Sequence, residues 1–95
     1  MKLYLEEIKN KIKPVIEKYG VIRAAIFGSY ARGDYNSKSD IDFLIEFGGK
    51  KSLLDLISVK MELEETLHKK VDVVTYNSLH PLLKRKILAE QMVLV

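Results

Sequence analysis

Two short β-favouring runs, Ile41 to Phe47 and Val71 to Thr75, flank a stretch from about Leu53 to His68 whose apolar residues recur at helical spacing. A helix between two strands is the crossover that parallel pairing requires, so these two strands are predicted to lie parallel and side by side. The other segments arrange themselves around that unit. Leu5, Ile8, Ile12, Val15, Ile16 and Tyr19 recur at steps of three and four, which predicts an opening helix that stops at Gly20. Pro14 should kink that helix or split it in two, since it removes a backbone donor and crowds the preceding turn. Val21 to Phe27 reads as a buried strand, Gly28 to Gly33 as a tight turn with one short helix, and Asp34 to Lys38 as polar loop. The connection after that first strand is short, which leaves its direction open.

Ser52 and Asp55 have the spacing of a capping box, and the helix they open should bury Leu53, Leu56, Ile57, Leu63 and Leu67. Pro81 suits the first turn of a last helix carrying Leu82, Leu83, Ile87 and Leu88, and Met92 to Val95 can add an edge strand. The order of elements implies an α/β fold, a small mixed β-sheet with covering helices. A chain of 95 residues with 47% hydrophobic and 31% charged content can build one core but not two, so residues 1–95 are expected to form a single domain.

Composition also narrows the function classes. There is no cysteine, which excludes disulfides and thiolate metal sites. No run has the form of a signal peptide or the roughly 20 apolar residues of a membrane span, so a cytoplasmic, membrane-free protein is expected. The net charge of +3 arises from sixteen basic and thirteen acidic residues, a weak case for nucleic acid. Lys9, Lys11, Lys13 and Lys18, and again Lys84, Arg85 and Lys86, are interleaved with apolar residues as solvated helix faces are.

Asp40 and Asp42 are one residue apart at the start of the second strand, so period-two alternation turns both carboxylates to one face. Two like charges held together call for a cation, and hard oxygen ligands select Mg²⁺ or a similar ion. A solvent-facing strand start is the plain alternative for Asp-x-Asp alone. Asp72 opens the third strand, which the crossover places beside the second, so a third carboxylate can reach the same ions. Taken alone, an aspartate at position 72 is more often an exposed strand residue paired with a lysine such as Lys69 or Lys70. Gly28 and Ser29 lie where a strand hands over to a helix, a turn whose free N–H groups attract phosphate, although a Gly-Ser pair is also an ordinary cap. Arg32, one helical turn on, either faces the same phosphates or buttresses the loop by pairing with an aspartate. His68 and His80 have no metal-ligand spacing and are assigned structural or solvent roles.

Gly28-Ser29, ten intervening residues and Asp40-Ile41-Asp42 together resemble the signature of the DNA polymerase beta-like nucleotidyltransferase superfamily, and Phe27-Gly28-Ser29-Tyr30-Ala31-Arg32-Gly33 is especially close to it. Within that superfamily the chain resembles the minimal nucleotidyltransferase (MNT) group, antitoxins of HEPN/MNT toxin–antitoxin pairs. The resemblance is strongest from Val21 to Asp42 and extends through Asp72. It implies the polymerase beta-like fold, with Asp40, Asp42 and Asp72 as catalytic residues and ligands of two Mg²⁺ ions. It implies further that Gly28, Ser29, Arg32 and Ser39 bind the nucleotide, ATP. The function implied is that of a type VII-like antitoxin, a protein adenylyltransferase that places AMP on a tyrosine of a HEPN toxin ribonuclease and silences it within a hetero-oligomer. Larger relatives carry extra domains for the acceptor, so here a partner chain is expected to complete that site. A non-catalytic antitoxin that neutralises its toxin by binding alone is the alternative. Tyr30 and Tyr35 lie near the acidic site, which argues against direct nucleic-acid binding through stacked aromatics.

Overall fold

The structure, a computed structural model, describes residues 2–95, with side chains from residue 5 onward. The elements are α1 (Lys2–Lys18), β1 (Val21–Phe27), α2 (Ser29–Arg32), β2 (Ile41–Phe47), α3 (Leu53–Leu67) and β3 (Val71–Thr75). A 3₁₀ turn (Tyr76–Ser78), α4 (Pro81–Glu90) and β4 (Met92–Val93) complete the chain. The four strands form one mixed sheet in the order β3-β2-β1-β4. The crossover through α3 makes β2 and β3 parallel, as the chain order requires. The open direction is settled as antiparallel for β1 against β2, and β4 adds an antiparallel edge to β1.

Strand alternation sorts the sheet into two faces. Ala24, Ile26, Ile41, Phe43, Ile45 and Val71 turn to one face, where Ile8, Ile12, Val15 and Ile16 of α1 and Val59 and Leu63 of α3 close over them. Ala25 and Leu44 turn to the other, joined by Tyr76 and partly by Phe27, Val74, Ile87 and Leu88. The first face is a sealed core. The second is thinly covered, since α4 buries none of its residues.

Local signals account for most boundaries. At the start of α3 the Ser52 N–H donates to Asp55 Oδ2 (2.9 Å) and the Asp55 N–H donates to Ser52 Oγ (3.4 Å), a reciprocal capping box. His68 closes that helix in the left-handed region (φ 54°), and His80 caps α4 by accepting the Leu82 N–H at Nδ1 (3.1 Å). Both histidines are therefore engaged in helix ends.

Two expectations need correction. Helix α1 is not split at Pro14 but runs on as one helix, with Pro14 on its exposed side, so the missing donor falls where solvent rather than the core meets the ladder. In α3 the core stripe is Leu56, Val59, Leu63 and Leu67; Leu53 (71% exposed) and Ile57 are exposed. Ile57 sits one residue, about 100°, off the buried stripe, and Leu53 belongs to a first turn that has no cover. In α4 the exposed residues include Leu82 and Leu83, and only Ile87 and Leu88 reach the second cluster.

Candidate active site

The carboxylates fall on the thinly covered face. Asp42 shares the alternation of Leu44, and parallel register sets Asp42 directly opposite Asp72, which shares that of Val74. Asp40 precedes β2 in an exposed position. Asp42 is half-buried, and its carboxyl is pushed up to about 6, chiefly by burial and then by the charges of Asp72 and Asp40. A hydrogen bond shared with Asp72 acts in the same direction, and the Arg32 guanidinium opposes it. The sheet thus gathers negative charge at one end of its open face. Among the described residues no three acidic or histidine side chains stand ready-assembled to hold a metal ion, so the three aspartates share a neighbourhood rather than a finished coordination shell.

Beside them β1 ends at Gly28, whose φ of 73° and ψ of −150° belong to a region that side chains disfavour. A Cβ at this position would also meet Asp42 Oδ2, so any other residue would have to displace that carboxylate as well as strain the backbone. The Gly28 carbonyl accepts the Ala31 and Arg32 N–H groups (3.1 and 3.0 Å) to open α2. At the other end the Gly33 and Asp34 N–H groups donate to Ser29 O (2.9 and 3.1 Å), with Gly33 left-handed at φ 86°. Ser29 is half-buried in the first turn of α2, next to the acidic group.

Of the two readings of Arg32 the structure displays the pairing with an aspartate: its Nε donates to Asp34 Oδ2 at 3.2 Å, and its charge also acts on Asp42. Ser39 holds its own loop, its Oγ accepting the Asn36 N–H at 2.9 Å. Lys69 pins the same loop by donating to Ser37 O (3.0 Å), with its ammonium 5.8 Å from the centre of the Tyr30 ring. Tyr30 in turn stacks on Tyr35, ring centres 4.2 Å apart. Lys69 and this aromatic pair therefore fix the segment that delivers Asp40.

Sequence reasoning missed Glu90. Its Oε1 accepts the Gly28 N–H (3.2 Å) and pairs with the Arg32 guanidinium (3.4 Å). The available signal was a glutamate in the last turn of a helix, where the negative end of the macrodipole disfavours it. Such a residue needs partners elsewhere.

A strand end with a glycine turn, set against a carboxylate pair on the neighbouring strands, can hold a cation and a phosphate side by side. Comparison with known proteins points the same way. The family described as Polymerase beta, Nucleotidyltransferase matches residues 10–95. A relative from Methanocaldococcus jannaschii, named provisionally as a protein adenylyltransferase, is 63% identical over 86 residues, covering 90% of this chain and 92% of its own. The protein adenylyltransferase MntA of Thermococcus cleftensis is 37% identical over 92 residues, 93% of each chain. A solved structure described provisionally as a minimal nucleotidyltransferase superposes with a TM-score of 0.78 at 34% identity, covering 93% of each chain. A toxin–antitoxin crystal structure with AMP-PNP shares the fold (TM-score 0.80, 22% identity, 92% of this chain and 72% of that one).

Proposed function

The chain belongs to the polymerase beta nucleotidyltransferase family, and from that premise we propose that it is a Mg²⁺-dependent protein adenylyltransferase that moves AMP from ATP to a tyrosine of a HEPN-type toxin, as the antitoxin of the pair. The observation that carries this reading is the parallel register that opposes Asp42 to Asp72, next to the Gly28 turn, where any other residue would strain the backbone and displace the Asp42 carboxylate. Hard oxygen donors gathered at one place, one of them pushed up to about 6 by burial first and by its acidic neighbours second, are suited to a divalent cation, which offsets both costs of holding the charge. Asp40, Asp42 and Asp72 would hold the metal, two ions by the family pattern, and when bound it supplies charge neutralisation at the α-phosphate and the departing pyrophosphate.

The remaining work belongs to the chain itself. Gly28 and Ser29 bind the triphosphate, with Arg32 and Ser39 at its flanks. An acceptor hydroxyl oxygen bonds to the α-phosphorus as the bond to the bridging oxygen of pyrophosphate breaks, and the hydroxyl proton is lost to solvent. Little covalent chemistry is asked of the protein, so positioning and charge dominate. The acceptor tyrosine comes from the partner, which makes the working unit a hetero-oligomer.

Neutralisation by binding alone is the alternative reading. One experiment separates the two. The protein is incubated with labelled ATP, Mg²⁺ and a candidate HEPN toxin; incorporation is read by intact mass, beside a binding assay with the same proteins. Wild-type protein should add AMP, whereas Asp40→Ala and Asp72→Asn should bind the toxin and add none. Full incorporation by Asp72→Asn removes that residue from the site. Binding without incorporation by the wild type selects the alternative reading.

A further inference from the structure

Helix α4 buries none of its residues fully, and polar bonds tie down its last turn. Glu90 reaches the turn after β1, where one oxygen, Oε1, serves both the Gly28 N–H (3.2 Å) and the Arg32 guanidinium (3.4 Å). The next residue, Gln91, accepts the Tyr76 hydroxyl at Oε1 (2.8 Å), which fastens the same helix end to the segment leaving β3. Gly28 is consequently pinned from both sides, at its N–H by Glu90 and at its carbonyl by Ala31 and Arg32. That double hold fixes a backbone conformation that would otherwise be one of several open to glycine. Arg32 is likewise held between Glu90 and Asp34, within electrostatic reach of Asp42.

We infer that Glu90 is a positioning residue for nucleotide binding: from α4 it locks the Gly28 turn and the Arg32 guanidinium in the arrangement that receives the triphosphate. The inference rests on the nucleotide-binding role proposed above for that turn. A carboxylate at this place could act in only two directions on an incoming polyanion. As a positioning group it favours binding by fixing the turn in advance; as a competing anion it opposes binding through repulsion. The signs are opposite, so affinity decides between them.

The test is titration of the full chain with Mg·ATP, comparing wild type, Glu90→Gln and Glu90→Ala, with thermal unfolding followed on the same samples. Glu90→Ala should weaken binding about tenfold, the scale of one charge-assisted hydrogen bond. Glu90→Gln can keep the Gly28 N–H bond while losing the charge opposite Arg32, and should fall between the two. Arg32→Ala combined with Glu90→Ala should lose less than the sum of the single losses, because both act on one arrangement. Unchanged or tighter binding by Glu90→Ala overturns the inference, as does a lowered melting temperature with wild-type affinity, which is the signature of a merely structural tie. Failure of the wild type to bind Mg·ATP at all overturns the nucleotide reading itself, an outcome distinguishable from failure of the Glu90 variants alone.

Discussion

The two faces of the sheet are built from the same strands and solve different problems. Toward α1 and α3, Ala24 and Ile26 of β1 and Ile41, Phe43 and Ile45 of β2 alternate as buried apolar residues, sharing one cluster with Ile12, Val59 and Leu63. Toward α4, the same strands carry Asp42 and Leu44, β3 carries Asp72 and Val74, and the cover is one helix with Leu82 and Leu83 in solvent and only Ile87 and Leu88 against the sheet. Burial of apolar surface dominates folding free energy, so stability is concentrated on the first face. Charge repulsion and an open approach, both costs to stability, are gathered on the second. The division lets a small fold tolerate a strained acidic cluster, because the elements that position it are anchored from behind.

Cutting into the sealed face should give the largest effect on stability. Leu63 is fully buried between α1 and the sheet, so Leu63→Ala should cost roughly 2–5 kcal/mol, the lost transfer energy plus an unfilled cavity. Chemical denaturation followed by circular dichroism reads this directly. A loss below about 1 kcal/mol would mean that the face repacks freely and is not the structural anchor.

Much of this division can be read from the sequence. A helix between two strands fixed their parallel order, and with that order Asp42 and Asp72 fall opposite one another without any knowledge of side-chain packing. Period two then separated Asp40 and Asp42 from Ile41 and Phe43. Helical phase was harder: Leu53, Leu56, Ile57, Leu63 and Leu67 satisfy a helical template as a set, and only the positions of α1 and β3 select the Leu56–Val59–Leu63–Leu67 stripe. Glu90 was out of reach because it meets Gly28 across 62 positions through a polar contact, which leaves no periodic trace. The sequence likewise leaves the exposure of Leu82 and Leu83 undetermined. Hydrophobicity states what would gain from burial, not whether the fold supplies a cover.

On the open face, relieving the carboxylate repulsion should stabilise the metal-free protein. The Asp42 carboxyl is pushed up to about 6 in the fold against an ordinary 3.8, chiefly by burial, so the folded state holds its proton more tightly than the unfolded chain does. The associated stability is present in full below the unfolded value and is lost as pH rises through about 6. Partial solvent exposure reduces the penalty at neutral pH to on the order of 1–2 kcal/mol. Asp42→Asn removes the charge at nearly constant shape. With divalent ions chelated, its melting temperature should match the wild type near pH 4 and exceed it at pH 7.5, while AMP transfer is abolished. A variant less stable than wild type at pH 7.5 would show that the Asp42 charge is held favourably after all.

The smallest effect is expected where apolar side chains are already in water. Leu82 is 84% exposed in the first turn of α4, a helix without a buried residue. Truncation there removes little area from contact with protein and leaves no cavity, so Leu82→Ala should change stability by no more than about 0.5 kcal/mol. Alanine also has the stronger helix propensity, which offsets part of any loss. Ile87, half-buried against the second cluster, supplies the internal control, and Ile87→Ala should cost more than Leu82→Ala although both leave α4 helical. The pair of measurements locates the edge of the thin cover within a single helix. If Leu82→Ala proved as costly as Ile87→Ala, α4 would be seated along its whole length, and the contrast between a sealed and an open face would lose its basis.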